Sequence, residues 1–447
     1  MLKTTLIKNA TVVNEGVIAI KDVLIKDGLI DKVDNQISLG DENHTEINAE
    51  GLHLLPGVID DQVHFREPGL THKAEIYTES KAAVAGGITS FMEMPNTVPQ
   101  AVTQELLKDK YDIASKKSIA NYSFFMGTTN DNIDEILKTN IKEVSGVKIF
   151  MGSSTGNMLV DDEKTLDTLF SQCPMLIATH CEDEKTVKEN FKKYYDKYGD
   201  DIPIEMHPII RSDQACYLSS SFAIELAKKN NARLHVLHIS TEKELELFKS
   251  DLPLREKRIT SEVCIHHLWF SDEDYADKKT FIKWNPAVKT KNDRAAIWKG
   301  LLDDTLDIIA TDHAPHTLEE KQNVYTKAPS GGPLVQHALV AMLECYHNGK
   351  ISLEKIVEKM SHAPAICFKV EKRGYLREGY YADLVLVDLN KKWKVDKSNL
   401  LYKCGWSPFE GQEFKSSVAK TFVNGNLVYN EGTFDESSRG MRLKFDR

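Results

Sequence analysis

The central part of the chain repeats one pattern, in which a short apolar run is followed by an amphipathic stretch typical of a helix. Nearly continuous apolar runs are characteristic of parallel strands buried on both faces. Eight βα units close naturally into a barrel, so the pattern predicts a (β/α)8 TIM barrel with its active site at the carboxyl ends of the strands. The eight runs are, in order, GVIDDQVHF, ITSFMEMPN, ANYSFFMG, VSGVKIFMG, MLIATHCED, RLHVLHIST, ITSEVCIHH and LDIIATDHAP.

The two ends of the chain have a different texture. Apolar and polar side chains alternate in TLIKNATVVNEG and VLIKDGLIDKVD near the start, and again in YADLVLVDL and AKTFVNGNLVYNEG near the end. This period of two, with an Asn-Gly hairpin signal in the last segment, is typical of antiparallel strands. We therefore expect both termini to build one small β-domain. Its predicted parts are 1–52 and 371–447, the latter including a C-terminal tail, and the barrel is predicted to span 53–370.

Length and charge narrow the classes of function. A chain of 447 residues, 41% apolar and 28% charged, can bury a large core. Its formal net charge of -10, without a basic stripe, argues against binding to nucleic acid or to an anionic membrane surface. The segment MLKTTLIKNATVV lacks the apolar core of a signal peptide, and no run approaches the roughly 18 apolar residues of a membrane span. We expect a cytoplasmic protein that acts on a small molecule; a homo-oligomer is compatible with the sequence.

Polar side chains fall at or near the carboxyl ends of six different runs. Because these ends converge on one face of a barrel, the six side chains are expected to lie together. Six convergent polar groups are hard to explain as core packing. They are His64, Asn96, Lys148, His180, His238 and Asp312.

Imidazoles and a carboxylate in this arrangement point to a divalent transition metal such as zinc, which binds these ligands and keeps a position open for water. His180, His238 and Asp312 each end an apolar strand, where an unpaired polar group is costly. Taken singly, each could be a satisfied core residue. His235 lies two residues before His238, on the same face of a strand, and competes with it as a ligand. The conjunction of these residues favours a metal centre.

The ordered set of motifs resembles the cyclic amidohydrolases over essentially the whole chain, and within them it is most similar to the dihydroorotases. The resemblance implies a metal-bearing (β/α)8 barrel with a composite β-sandwich. It also implies ring opening of dihydroorotate to N-carbamoyl-L-aspartate, or the reverse reaction, in pyrimidine synthesis. The motifs are PGVID, HFREPG, GGITSFMEMPNT, GVKIFM, IATHCE, LHVLHIS, SEVCIHH, TDHAPH and EGYYADLVLVD.

Roles for the metal ligands follow from the resemblance. It implies that His64 is the second histidine of the family's HxH pair, and that His180 and His238 bind the second of two metals. Asp312 would bind the first metal and carry a proton as the catalytic acid and base. One or two zinc ions would lower the pKa of a bound water toward about 7 and polarise the ring carbonyl.

Lys148 stands where many members of the superfamily carry a carbamylated lysine that bridges two metals. An ammonium has no lone pair and cannot bind a metal, whereas a carbamate can. Some similar dihydroorotases use an aspartate near this place, but KIFMGSSTG contains none. We therefore expect a carbamylated Lys148. The alternative is a structural lysine whose ammonium pairs with a neighbouring carboxylate.

Arg66, two residues beyond His64, is placed to hold a substrate carboxylate, because a planar guanidinium binds carboxylates through two hydrogen bonds. The resemblance adds Asn96, Asn285 and His316 as substrate contacts. The alternatives are an exposed arginine, two turn asparagines and a helix-capping histidine. Hydantoinases and allantoinases share the metal ligands, but their substrates lack the carboxylate that Arg66 and Asn96 would hold, which favours dihydroorotate.

Gln62 occupies the position where the family pattern has a histidine. An amide oxygen is a weaker zinc ligand than imidazole, so the first metal should bind less tightly or be absent. In one interpretation the enzyme works with one tightly held ion, or with a second, weaker ion that Gln62 completes. In the other, the barrel is a catalytically inactive scaffold subunit. A decaying site would lose groups without preference, yet the other groups remain, which favours an active enzyme.

The two acidic residues before Gln62 are assigned by strand alternation. Asp61 is expected on the face opposite to Gln62, where it cannot take over as a ligand. Asp60 shares the face of Gln62 but lies deeper, and we expect it to have a structural hydrogen-bonding role.

Overall fold

The computed structural model describes residues 4–40, 43–152, 158–160 and 162–447. Its first five strands are β1 (Thr4–Asn14), β2 (Val17–Lys26), β3 (Leu29–Asp34), β4 (Thr45–Asn48) and β5 (His53–Pro56). Eight parallel strands follow: β6 (Val58–Val63), β7 (Ile88–Glu93), β8 (Asn121–Gly127), β9 (Gly146–Phe150), β10 (Ile177–His180), β11 (Leu234–Val236), β12 (Ile259–Cys264) and β13 (Ile308–Ala310). The last strands are β14 (Leu384–Asp388), β15 (Trp393–Lys394), β16 (Glu413–Phe414), β17 (Ser417–Val423), β18 (Asn426–Asn430) and β19 (Thr433–Phe434).

Helices connect these strands. The α-helices are α1 (Ile76–Ala85), α2 (Gln104–Lys117), α3 (Ile133–Leu137), α4 (Glu163–Gln172), α5 (Glu184–Tyr198), α6 (His207–Ile210), α7 (Asp213–Asn230), α8 (Ile265–Trp269), α9 (Tyr275–Lys278), α10 (Lys291–Leu302), α11 (Leu318–Lys321), α12 (Ala338–His347), α13 (Leu353–Val357) and α14 (Ala363–Phe368). A π-helical segment spans Glu358–His362, and short 3-10 turns span Ile204–Met206, Lys243–Leu247, Leu254–Glu256, Asp272–Asp274 and Lys279–Ile282. Among the described residues, no helix is both long enough and apolar enough to cross a lipid bilayer.

Local side-chain caps start several of the helices that follow barrel strands. The side chains of Thr103, Asp183 and Thr290 accept hydrogen bonds from backbone N–H groups in the first turns of α2, α5 and α10. Such caps satisfy N–H groups that have no partner inside the helix. They fix the residue at which each of these helices begins.

The eight parallel strands form a barrel in sequence order, with each strand beside the next from β6 to β13. A parallel bridge between Val63 and His313 closes it, and the N–H of His64 donates to the carbonyl of His313 at 2.7 Å. All six residues of β6 are buried, as are all six of β7 and all seven of β8. The predicted barrel, with strands buried on both faces, is confirmed.

Strand β6 departs from regular alternation. Its register against β7 shifts between Asp60 and Val63. As a result, the carboxylate of Asp61 reaches across the barrel to within 3.3 Å of His235 Nε2 on β11, while Gln62 Nε2 donates to Asp312 Oδ1 at 3.3 Å. The expectation that Asp61 faces away from Gln62 is therefore wrong, because strand alternation fails at the register shift.

Asp60 ties the first barrel strand to the last. Its carboxylate accepts hydrogen bonds from the Thr311 hydroxyl at 2.6 Å and from the Thr311 N–H at 3.2 Å. The side chain is buried, and burial raises its pKa to about 7. This is the structural hydrogen-bonding role that its depth in the strand predicted.

Both ends of the chain contribute to a nine-stranded sheet. Its order is β19-β18-β17-β14-β5-β1-β2-β3, and β4 pairs with β1. Strand β14, from the C-terminal part, lies antiparallel between β5 and β17. The predicted β-rich unit built from both termini is confirmed, while its limits at 1–52 and 371–447 stay a prediction.

A buried polar network joins this sheet to the barrel. The carboxylate of Asp383, just before β14, pairs with Arg373 and accepts hydrogen bonds from Asn121 Nδ2 at 3.1 Å and from the Asn424 N–H at 2.8 Å. Asn121 begins barrel strand β8, and Asn424 lies in the turn between β17 and β18. One carboxylate therefore links the barrel to two parts of the terminal sheet.

Asp383→Ala should lower the free energy of unfolding by about 3–5 kcal/mol, because it leaves the buried Arg373 guanidinium without its carboxylate. Urea denaturation measures the change. Asp31→Ala removes an exposed carboxylate and should change the free energy by less than about 0.5 kcal/mol. Equal effects for the two variants would contradict the role assigned to the network.

Candidate active site and metal centre

One cavity of about 830 Å³ opens at the carboxyl ends of the barrel strands, and all ten residues predicted for the site line it. The structure therefore brings together side chains that are up to 254 positions apart in sequence. Their individual roles stay predictions, but their convergence is observed. The ten are Gln62, His64, Arg66, Asn96, Lys148, His180, His238, Asn285, Asp312 and His316.

The first pair of predicted metal ligands is His64 and Asp312. Nε2 of His64 lies 3.2 Å from Oδ1 of Asp312. Nδ1 of His64 lies 2.8 Å from the amide oxygen of Asn96. An amide oxygen only accepts, so Nδ1 carries the proton and Nε2 keeps a lone pair directed toward Asp312. Asn96, predicted as a substrate contact, thus also fixes the orientation of His64.

The second pair is His180 and His238, whose Nδ1 and Nε2 atoms lie 2.9 Å apart. The other nitrogen of His180 lies 2.9 Å from Glu182 Oε2, and Glu182 also pairs with Arg211. Since the carboxylate accepts from Nε2–H, the Nδ1 lone pair of His180 faces His238. Burial lowers the pKa of both imidazoles, which keeps both neutral and available as ligands.

His235 does not belong to this pair. It lies deeper in the barrel, where its Nδ1 is 2.8 Å from Thr260 Oγ1 and its Nε2 faces Asp61 and Glu262. His238 follows the end of β11 and has a left-handed φ of 43°. The backbone thus leaves regular strand geometry between the two histidines. His238, and not His235, therefore lies beside His180.

Lys148 is buried on β9, with its Nζ 4.6 Å from the centre of the Phe150 ring. Within the described part of the chain, its ammonium forms no hydrogen bond and no ion pair. Burial lowers the pKa of Lys148 to about 7, although the charges of Asp312 and Glu262 oppose this shift. A substantial fraction of the amine is therefore uncharged at neutral pH.

Asp312 lies at the centre of the arrangement, just after β13, in a left-handed conformation with φ 47°. Burial raises its pKa to about 7, although the charges of His180, Lys148 and Arg66 lower it. A carboxylate with a pKa near neutrality can both accept and release a proton at physiological pH.

Gln62 is oriented by two contacts. Its amide nitrogen donates to Asp312 Oδ1 at 3.3 Å, and its amide oxygen lies 3.6 Å from the Sγ of Cys264. In this orientation the group facing Asp312 is a donor without a lone pair. Gln62 thus holds the Asp312 carboxylate in place, and it would have to rotate its amide to offer an oxygen to a metal.

Arg66 lies at the wall of the cavity, 8% exposed, with φ 68°. Its Nε donates to the carbonyl of Pro315 at 3.0 Å, and a terminal nitrogen lies 3.0 Å from His316 Nε2. Lys73 lies 3.0 Å from the other nitrogen of His316 and pairs with Glu320 at 2.8 Å. The guanidinium is therefore anchored on one edge, with its charge directed to the cavity.

Asn285 precedes a cis bond to Pro286, and its amide oxygen is buried without a hydrogen-bond partner among the described residues. A buried acceptor without a partner costs free energy unless a ligand satisfies it. Next to it, Trp284 lines the cavity and donates from its indole to the carbonyl of Asp312 at 3.3 Å.

Sequence reasoning missed Lys73 and Glu182. Glu182 stands two residues after His180 in the THCED segment, so a search for a carboxylate beside a predicted histidine ligand could have found it. Lys73 follows the HFREPG segment in a connection without regular periodicity, and nothing in the sequence marks it.

The donor atoms fit a metal. A tetrahedral zinc site with bonds of about 2.0–2.1 Å places its ligand atoms about 3.3 Å apart. The His64–Asp312 and His180–His238 pairs lie 3.2 Å and 2.9 Å apart, with lone pairs directed at a shared space. A histidine that binds a metal through one nitrogen characteristically donates the N–H of the other to a carboxylate or a carbonyl. Glu182 is such an acceptor for His180, and the side-chain carbonyl of Asn96 is one for His64.

Comparison with known proteins agrees with this geometry. A family model described as the amidohydrolase family matches residues 53–428. The chain belongs to the amidohydrolase family. It is 33% identical to a dihydroorotase of Pyrococcus furiosus, in a match that covers 94% of this chain and 91% of the relative. A dihydroorotase of Listeria innocua is 32% identical, and the match covers 95% of this chain and 99% of the relative. The family predicted from the motifs is confirmed.

Solved structures with this amidohydrolase fold include hydantoinases. An L-hydantoinase from Arthrobacter aurescens superposes with a TM-score of 0.92 at 26% identity, covering 97% of this chain and 98% of that chain. A dihydropyrimidinase from Brevibacillus agri superposes with a TM-score of 0.88 at 23% identity, covering 99% and 100%. The second match supports the fold alone.

Glu182→Gln should lower the affinity for a divalent metal about 10- to 100-fold, because it removes the negative charge that orients and polarises His180. Titration of the metal-free protein with cobalt against a competing chelator measures this affinity. Glu189→Gln, an exposed carboxylate on the following helix α5, is the matched control and should leave the affinity unchanged. Equal affinities in both variants would contradict the orienting role of Glu182.

Proposed function

We propose that this amidohydrolase is a dihydroorotase, which hydrolyses the cyclic amide of dihydroorotate to N-carbamoyl-L-aspartate and catalyses the reverse ring closure. The observation that carries the proposal is Arg66, a buried cation in the same cavity as the neutral histidines and Asp312. Dihydroorotate offers the two groups that this cavity matches, a carboxylate for the guanidinium and a cyclic amide for the metal side. The names of the similar curated proteins support the same substrate.

Zinc is the metal we propose, with one or two ions per chain. His64 and Asp312 would hold one ion, and His180 and His238 the other. A bound zinc ion lowers the pKa of water toward about 7 and polarises a carbonyl. Because Gln62 presents its amide nitrogen to Asp312, the first ion is expected to be the weaker of the two.

Carbamylated Lys148 would bridge the two ions. Carbon dioxide adds to an uncharged amine, and the lowered pKa of Lys148 supplies one. The alternative, an ammonium paired with a carboxylate, finds no such carboxylate within hydrogen-bonding distance among the described residues. Both points support a carbamate at this position.

Asp312 is the residue we assign to proton transfer. It would accept the proton of the attacking water and deliver it to the ring nitrogen as the carbon–nitrogen bond breaks. Its raised pKa suits both steps near neutrality. Two hydrogen bonds hold Asp312 in position. Gln62 donates to its carboxylate, and the indole of Trp284 donates to its backbone carbonyl.

Substrate binding is assigned to other residues that line the same cavity. The free edge of Arg66 would take the substrate carboxylate, and His316 keeps the guanidinium in place. The buried amide oxygen of Asn285 would accept a hydrogen bond from a ring N–H. Asn96 reaches the substrate side while orienting His64. The enzyme is proposed to act in the cytoplasm on this small molecule.

A hydantoinase activity is the second candidate, favoured by the structural match to the Arthrobacter enzyme. Hydantoins carry the cyclic amide but not the carboxylate, so such a substrate would leave Arg66 unpaired in the cavity. A non-catalytic scaffold is the third candidate. It does not account for the retention of oriented donor atoms at every predicted ligand position except that of Gln62.

Arg66→Met should lower kcat/KM for dihydroorotate about 100-fold, the equivalent of losing two charged hydrogen bonds of about 1.5 kcal/mol each. Activity toward an unsubstituted dihydropyrimidine or hydantoin, if any is detected, should change much less. Steady-state kinetics on both substrates measure the split. Arg255→Met, an exposed arginine, is the control. Equal losses on both substrates would contradict carboxylate recognition by Arg66.

A further inference from the structure

A second group of potential ligands lies below the cavity, inside the barrel. Asp61 on β6, His235 on β11 and Glu262 on β12 are all completely buried. Nε2 of His235 lies 3.3 Å from Asp61 Oδ2 and 3.2 Å from Glu262 Oε2. We call these three residues the deep triad. None of them was assigned to the predicted metal centre.

The contacts of His235 direct its Nε2 toward the centre of the deep triad. Its Nδ1 lies 2.8 Å from Thr260 Oγ1, and that hydroxyl donates to the carbonyl of Leu234 at 3.3 Å. With its proton committed to Leu234, the hydroxyl oxygen accepts from Nδ1–H of His235. Nε2 then faces two carboxylates, and the positive charge that this arrangement requires is either a bound cation or a second proton on the imidazole.

Asp61 lacks other partners. Neither of its carboxylate oxygens accepts a hydrogen bond from any described residue, although both are buried. Glu262, by contrast, uses its other oxygen to accept from the N–H of His238 at 3.1 Å. A buried carboxylate without hydrogen bonds is costly unless it coordinates a cation. The unsatisfied carboxylate of Asp61 therefore indicates that the centre of the deep triad can bind a cation.

Geometry and charge indicate the class of that ligand. Separations of 3.2 and 3.3 Å match the distance of about 3.3 Å between ligands of a tetrahedral zinc site. With His235 neutral and both carboxylates ionised, as metal ligands are, the three residues carry two negative charges, which one divalent ion balances. Mixed nitrogen and oxygen donors suit zinc and similar transition ions better than magnesium or calcium.

We propose that Asp61, His235 and Glu262 form an additional metal site for a divalent transition ion, beneath the catalytic cavity. The ion would connect β6, β11 and β12 across the barrel interior. Through Glu262 it would also brace the backbone of His238, a ligand proposed for the cavity. Binding at the deep triad needs neither substrate nor turnover, so it can fail or succeed independently of the proposed activity.

Zinc-edge anomalous diffraction from crystals of the full-length protein grown with zinc tests the site without any variant. We expect a peak within about 2.0–2.2 Å of the three ligand atoms. A peak between His180 and His238 without one in the deep triad would overturn the proposal. In that case protons, one on the imidazole and one shared by the carboxylates, balance the charge instead.

Metal counting on three variants supplies the second test. After zinc loading and exhaustive dialysis, Asp61→Asn should hold one zinc fewer per chain than the wild type. Asp60→Asn is the matched control, because it removes the adjacent buried carboxylate, which binds Thr311, and should hold as much zinc as the wild type. His180→Ala should lose zinc from the cavity and keep the deep ion. An unchanged zinc count in Asp61→Asn would also overturn the proposal.

Discussion

The seam between β6 and β13 is the contact on which the site depends. In the order of strands these two lie at opposite ends of the eight-stranded sheet. Closure through Val63 and His313, reinforced by Asp60 and Thr311, brings the residues after both strands together. Only then does Asp312 come within 3.2 Å of His64. The proximity of the first pair of predicted metal ligands is thus a product of barrel closure.

Burial is the second constraint. Histidines, a lysine and carboxylates inside a closed barrel lose their hydration, and each must be neutral, paired or bound to a cation. The imidazoles of His64, His180 and His238 respond with lowered pKa values, and Lys148 and Asp312 shift toward neutrality from opposite sides. Metal ions bound at the predicted ligands would satisfy several of these buried polar groups at once.

Much of this could be predicted from the sequence, because apolar runs report strands and a barrel brings the ends of those strands to one face. That reasoning identified six of the ten cavity residues without any knowledge of distances. Arg66 was added from its position beside His64, and Gln62, Asn285 and His316 came from the resemblance to known motifs. It failed for Asp61, because the register shift in β6 has no signal in the alternation of residues. It also missed Lys73 and the contact of Asn96 with His64, since these depend on pairing between segments far apart in sequence. Glu182 was overlooked although it follows His180 by only two residues. Gln62 illustrates the same limit: its identity was evident, but its function as a donor to Asp312 required the structure.

The most direct measurement is zinc content together with dihydroorotate hydrolysis on one purified sample, before chelation, after chelation and after zinc is restored. We expect turnover that disappears with the metal and returns with it, while circular dichroism shows that the barrel stays folded throughout. A folded protein that regains its zinc but does not hydrolyse dihydroorotate would contradict the assignment as a dihydroorotase. Turnover that survives complete removal of the metal would contradict the metal-dependent mechanism.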